Sequence, residues 1–181
     1  FTINDAETPP VNLTTTATSS NTTLVPIVNI AFGGSAANRT VTITPALNQF
    51  GPTTITITVS DGTRTATSSF VLTVGAINQT PTISAIAAQT TNEDTPITAL
   101  AFTIGDIETT PANLTVSAIS SNTTIIPDAK IAFGGTQANR TATITPAPNQ
   151  NGTANITITV SDGVASAPTT FTLNVRAVND T

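Results

Sequence analysis

Ten carboxylates carry most of the potential for acid–base or metal chemistry in this 181-residue sequence, which contains no His and no Cys. That absence removes the commonest general base, the usual zinc ligands and every Ser–His or Cys–His pair. Six of the carboxylates repeat one pattern: Asp106, Glu108 and Asp162 have counterparts in Asp5, Glu7 and Asp61. Such oxygen donors suit Ca²⁺, which takes about six to eight oxygens gathered from loops. Glu93, Asp94, Asn179 and Asp180 form a second candidate group. The competing reading is that each Asp caps a turn by accepting from its own backbone. A glycosidase would hold two carboxyls ~5–9.5 Å apart across a cleft. With neither Trp nor Tyr to stack a sugar, the chain is read as non-enzymatic.

Asparagine offers a different chemistry. Ten Asn residues stand in Asn-x-Ser/Thr sequons: 12, 21, 38, 78, 113, 122, 139, 151, 155 and 179. A chain this rich in Asn and Thr makes sequons by accident, but Asn21/Asn122 and Asn38/Asn139 recur as pairs expected in loops, where glycans attach. These four are the candidate glycosylation sites. Lys130 invites comparison with isopeptide crosslinks, yet its counterpart is Asn29, so it is read as a surface lysine. Arg39 and Arg140 each follow Asn, at the expected start of a strand, and are expected to pair with a nearby carboxylate.

The remaining composition narrows the class. Hydrophobic residues make up 38 %, enough for small cores, while charged residues make up only 8 % and the net charge is −5. Nucleic acid needs a basic patch, and the five cations here are scattered. No apolar run approaches the ~20 residues of a membrane span, and no signal peptide is recognisable within these residues. Without disulfides, the fold must rest on packing and hydrogen bonds.

The elements that must position these residues show themselves through a repeat. Residues 1–80 align without a gap onto residues 102–181, and 49 of the 80 pairs are identical. The shared strings include SSNTT, IAFGG, ANRT and ITVSDG. A period near 100 residues suits a complete domain rather than a solenoid turn. Within the second copy, alternating segments predict strands over 82–88, 97–104, 114–120, 129–133, 141–145, 155–160 and 170–175. Ile156, Ile158 and Val160 face inward in this reading, Thr157, Thr159 and Ser161 outward. Asp61-Gly62 and Asp162-Gly163 mark the turn before each last strand. Phe32, Phe133, Phe70 and Phe171 are expected to anchor the cores. The predicted class is all-β: two tandem seven-stranded immunoglobulin-like sandwiches, residues 1–79 and 80–181, the first lacking its N-terminal strands.

The first copy lacks the counterpart of residues 81–101. One reading is a window on a longer array. The other is strand donation from a neighbouring subunit into a groove edged by unpaired backbone.

Four strings together resemble the cadherin-like and immunoglobulin-like tandem repeats of large bacterial surface proteins. They are Asn92-Glu93-Asp94-Thr95-Pro96, Pro146 with Asn149-Gln150-Asn151-Gly152, Ile158 through Gly163, and Val178-Asn179-Asp180. The resemblance implies an extracellular or cell-surface module, an extender or adhesin, with calcium at domain junctions in many relatives. At the linker this chain reads Ile77-Asn78-Gln79 where the second copy closes on Val178-Asn179-Asp180, so the linker has one carboxylate fewer. The expected partners are copies of itself or neighbouring repeats, with covalent glycans. The alternatives are a loop-mediated receptor-binding module and an accessory domain beside a secreted enzyme. Extenders repeat their loops, and SSNTT and ANRT are repeated here, which favours the structural role.

Overall fold

The computed structural model describes residues 1–179 and divides into two compact units, Phe1–Ile77 and Asn78–Thr181. Regular structure is β-strand with a few single helical turns, and none of the described residues lies in an α-helix.

The second unit carries eight strands after the five of the first. Strands β1 (Thr14–Ser19), β2 (Ile30–Ser35), β3 (Asn38–Ile43), β4 (Gly51–Ser60) and β5 (Thr65–Val74) belong to the first unit. Strands β6 (Thr82–Ile83), β7 (Gln89–Asn92), β8 (Ile97–Gly105), β9 (Thr115–Ser120), β10 (Ile131–Thr136), β11 (Asn139–Ile144), β12 (Gly152–Ser161) and β13 (Ser166–Arg176) belong to the second. There the sheets run β10-β11-β8-β6 and β7-β13-β12-β9. Of the expected strand over 82–88 only its first two residues are strand, and a further short strand follows it. Thr82 and Ile83 pair antiparallel with β8. The chain then crosses between sheets, and Gln89–Asn92 adds to β13 in parallel. One segment therefore closes both sheets along one side, and the unit has eight strands rather than seven.

The predicted alternation holds in β12. Ile156, Ile158 and Val160 are buried against Phe171, Leu173 and Val175 of β13, while Thr157 and Thr159 point to the other face. β-branched Thr suits that wetter face of a pleated strand. The core gathers fifteen buried residues, with Ile83 and Ile86 packed onto it from the closing segment and Ile97 and Leu100 from β8. Phe102 and Phe133 meet edge-to-face at 6.2 Å, an arrangement aromatic quadrupoles favour.

The first unit keeps the same framework with fewer strands. Its sheets are β1-β4-β5 and β2-β3, and the β4/β5 register matches that of β12/β13, Ile55 opposite Phe70 as Ile156 is opposite Phe171. Only Leu24, Val25, Ile55 and Ile57 form its buried cluster. Phe70 does not anchor that core: it is exposed, because no segment lies over its face of β5.

Both units build the second hairpin alike. Gly34 and Gly135 adopt φ +84°, and a Cβ there would stand 2.3 and 2.4 Å from the carbonyl oxygens of Asn38 and Asn139. Only glycine fits that approach.

Candidate functional site

Two loops and the entering chain meet at one end of the second unit. Asp106 and Glu108 follow β8, Asp162 opens the β12–β13 turn, and Asn78 and Gln79 lead into the unit. The Asn78 side-chain amide donates to Asp162 Oδ2 at 2.9 Å, and the Gln79 backbone N–H donates to Glu108 Oε2 at 2.9 Å. The entering segment is thus clamped by two carboxylates from different loops. A charged acceptor makes such bonds stronger than neutral ones.

Each aspartate also caps its own turn. Asp162 Oδ1 accepts from the N–H groups of Val164 and Ala165, and Asp106 Oδ1 from those of Glu108 and Thr109. The amides of Ala165 and Val164, followed by the Asn78 side chain, hold the Asp162 carboxyl below its ordinary 3.8. The first unit repeats the capping: Asp5 Oδ1 accepts from Glu7 and Thr8, and Asp61 Oδ1 from Thr63 and Arg64. The Arg64 and Thr63 amides likewise lower the Asp61 carboxyl. Turn capping, one of the two sequence readings, is therefore what these oxygens do.

One oxygen is left over. Asp106 Oδ2 is buried without a hydrogen-bond partner, and such an atom carries a desolvation penalty that a cation would relieve. The carboxylates at this end, Asp106, Glu108 and Asp162, offer the oxygen ligands Ca²⁺ prefers. Among the described residues, no three Asp, Glu, His or Cys side chains are gathered closely enough to hold a metal ion. The first unit fits less well. Its Asp5 and Asp61 line a small cleft together with Arg64, whose charge opposes a divalent ion, whereas the second unit has Ala165 at that position. Glu7 is exposed.

Of the other group, Glu93, Asp94 and Asn179 lie among the described residues. Glu93 is only 6 % exposed, its Oε1 accepting from the Val178 N–H at 2.6 Å, while Asp94 Oδ1 accepts from the Asn149 N–H. Asp180 lies outside the described residues. Asn21 and Asn122 sit in turns, where their Oδ1 atoms accept from Leu24 and from Thr124 and Ile125 respectively. Asn38 and Asn139 are exposed but stand at the first positions of β3 and β11, beside hairpin turns rather than in long loops.

The arginines behave differently from expectation. Arg39 Nη2 donates to the Pro10 carbonyl and Arg140 Nη2 to the Pro111 carbonyl, at 3.1 and 2.9 Å. A guanidinium reaches that far across the sheet, and the helical turns at Pro10–Asn12 and Pro111–Asn113 present the carbonyls. Sequence reading sought carboxylates and missed these backbone acceptors, which carry no residue-type signal.

A family model described as a cadherin-like domain matches residues 77–176. Among solved structures, a protocadherin gammaB7 EC3-6 cis-dimer aligns at 18 % identity and TM-score 0.55, over 92 % of this chain and 41 % of that one. Domains 4 and 5 of the S-layer protein SbsC align at 16 % identity and TM-score 0.43, over 95 % and 75 %. The endo-fucoidan hydrolase MfFcnA4 of glycoside hydrolase family 107 aligns at 18 % and 0.41, and the chain spans about a quarter of its length, 24 %. At these identities the likenesses concern fold. No curated protein matches.

Proposed function

Because the chain belongs to the cadherin-like domain family, we propose that it is a non-enzymatic spacer in an extracellular filament or cell-surface adhesin, built from tandem repeats. The observation that carries this reading is the repeat itself: 49 identical pairs of 80, with turn and loop strings kept as faithfully as the core positions. A catalytic or receptor site would need only one of two copies to hold its residues. A spacer needs both copies to fold and extend. Assembly by strand donation between subunits is the finer form of this reading. Immunogold labelling of intact, unpermeabilised source cells tests location and role together. Label along surface filaments is expected, and label seen only after permeabilisation would overturn the reading.

Calcium belongs to the proposal at one place. Asp106, Glu108 and Asp162 are the residues that would hold it once their loops drew together, since no three such side chains among the described residues stand close enough as the loops lie, and the ion would neutralise the Asp106 oxygen that has no partner. Without the ion, Asn78 and the Gln79 amide tie the entering segment to the same loops. Melting the chain with Ca²⁺ and with a chelator reads this directly. A higher midpoint for the second unit with Ca²⁺ is expected, and coincident curves would remove calcium from the account.

One observation favours the adhesin reading as a second possibility. In the first unit Ile27, Val28, Leu47 and Phe50 are exposed, on two loops joined by the Asn29–Thr44 and Leu24–Ala46 backbone bonds. The second unit has Asp128, Ala129, Pro148 and Asn151 at these positions. An apolar patch carried by one copy alone is the pattern of a receptor contact. Val28→Asp with Leu47→Asp would abolish adhesion to a surface if the patch grips a receptor, and would leave it unchanged if the chain only spaces.

A further inference from the structure

The loop that leads into β12 reads Asn149-Gln150-Asn151-Gly152. Of the sixteen asparagines in the chain, Asn151 alone is followed by glycine. That order has a chemical consequence. The backbone nitrogen of the following residue can attack an asparagine side-chain carbon and close a five-membered imide. A Cβ on that residue obstructs the attack, and glycine has none.

The fold leaves this attack open. Asn151 is exposed, and its side chain makes no hydrogen bond with any described residue. Gly152 has φ +129°, and a Cβ there would stand 2.8 Å from Ile125 Cδ1. Both features call for glycine after Asn151. Asp61 and Asp162 are also followed by glycine, but their side chains are pinned. Asp162 Oδ1 accepts two backbone N–H bonds at 2.6 Å, and Asp61 Oδ1 accepts two at 2.7 and 2.6 Å. Both are also carboxylates, which resist nucleophiles. The first unit places Phe50 before Gly51, so the reaction has no counterpart there.

We propose that Asn151 is a site of spontaneous deamidation in the folded second unit, with water as co-reactant. The Gly152 nitrogen loses its proton to solvent base and bonds Asn151 Cγ. The Cγ–Nδ2 bond breaks and ammonia leaves. Water then opens the imide. Cleavage of the new Cγ–N bond yields aspartate; cleavage of the original backbone C–N bond yields isoaspartate, whose main chain is one atom longer. Either product adds a negative charge to a chain already at −5. The extra atom of isoaspartate falls at the head of β12, where Gly152 is opposite Val175 and Thr153 opposite Asn174. Those two pairs loosen. Ile156 to Ser161, held by β13 on one side and β9 on the other, stay in register.

The test stores the 181-residue chain, made in a host that adds no glycans, at neutral and mildly alkaline pH. Peptide mass mapping with isoaspartate detection follows each asparagine. Asn151 is expected to lose its amide at least about tenfold faster than Asn149, whose successor Gln150 carries a Cβ. The loss should quicken as pH rises. Amide hydrogen exchange at Thr153 and Asn174 should be faster in the aged chain. Asn151→Gln, which would need a six-membered ring, should stay unmodified and keep its protection there. A free peptide of residues 146–156 is the unfolded reference. Conversion of the peptide while the folded chain keeps its Asn151 amide would overturn the proposal, and so would equal rates at Asn149 and Asn151. Unchanged exchange in the aged chain would overturn the effect on β12. The spacer reading stands apart from all of these results, since surface labelling tests it.

Discussion

Phe70 and Phe171 are the same residue in the same register of the same strand pair, yet Phe70 is 41 % exposed and Phe171 4 %. Phe1 and Phe102 differ in the same way, 47 % against 4 %. The apolar positions Phe70, Leu72 and Val74 recur as Phe171, Leu173 and Val175; the covering segment is what differs. The second unit gathers fifteen buried core residues where the first gathers four, although the apolar pattern of β4 and β5 is nearly that of β12 and β13. Burial is therefore a property of a position in an assembled sandwich. A strand supplies an apolar face, and a further segment decides whether that face becomes a core or a groove. Burying a Phe or Ile side chain is worth about 1.5–3 kcal/mol, so the covering segment contributes much of the second unit's stability.

The sharpest way to break this comparison is a pair of matched core truncations. Ile158→Ala in the second unit is expected to cost about 2–5 kcal/mol, because the cavity lies in a closed core. Ile57→Ala, its counterpart in the smaller four-residue cluster, should cost about 1–2 kcal/mol, since fewer buried neighbours surround the cavity. Denaturant unfolding followed by hydrogen exchange resolves the two units, and equal losses would show that the first unit is as closed as the second.

A glycine pair probes what the units share. Gly34→Ala and Gly135→Ala each force a Cβ against backbone at positive φ, and each should cost more than about 1 kcal/mol. Here the two losses should match, because the hairpin does not depend on the covering segment. A mismatch would mean that the open edge has loosened the β2–β3 hairpin as well.

Glu93 exists only in the covering segment. Glu93→Ala removes the acceptor of the Val178 N–H and should cost the second unit about 1–2 kcal/mol, while Glu93→Gln, which keeps an acceptor oxygen, should cost less. Thermal melts of the two variants check the order, and an Ala variant as stable as the Gln variant would make the 2.6 Å contact incidental.

The smallest effect separates the two turn aspartates. Both carboxyls are held below 3.8 by backbone amides, Asp162 additionally by Asn78. A depressed carboxyl contributes stability that is fully present above its unfolded value and is lost as pH falls through the folded one. Both turns should therefore hold above about pH 4 and weaken below 3.8. In Asn78→Ala the Asp162 titration should move up while Asp61 stays put, as read by carboxyl NMR shifts. Movement of both would assign the shift to something other than the local clamp.

Much of this was legible beforehand because it is local or periodic. The 101-residue repeat, the alternation of Ile156, Ile158 and Val160 with Thr157 and Thr159, and the Asp-Gly turns follow from side-chain period and turn chemistry. The Asn78 side chain and the Gln79 amide bond Asp162 and Glu108, since hairpin ends and loops of a sandwich fall at common ends. Their bonds were not legible, because the Gln79 amide and the Pro10 and Pro111 carbonyls are backbone groups that every residue type carries.

Sequence alone determined the all-β class, the repeat and the faces of the long strands, because pleated backbone alternates its side chains whatever surrounds it. Only the tertiary structure decided that the segment at 82–92 serves two sheets in turn, that Phe171 is core and Phe70 is surface, and that Arg39 and Arg140 reach carbonyls rather than carboxylates. Those outcomes depend on which distant segment lies alongside, and nothing in a residue's own neighbourhood along the chain encodes its cover.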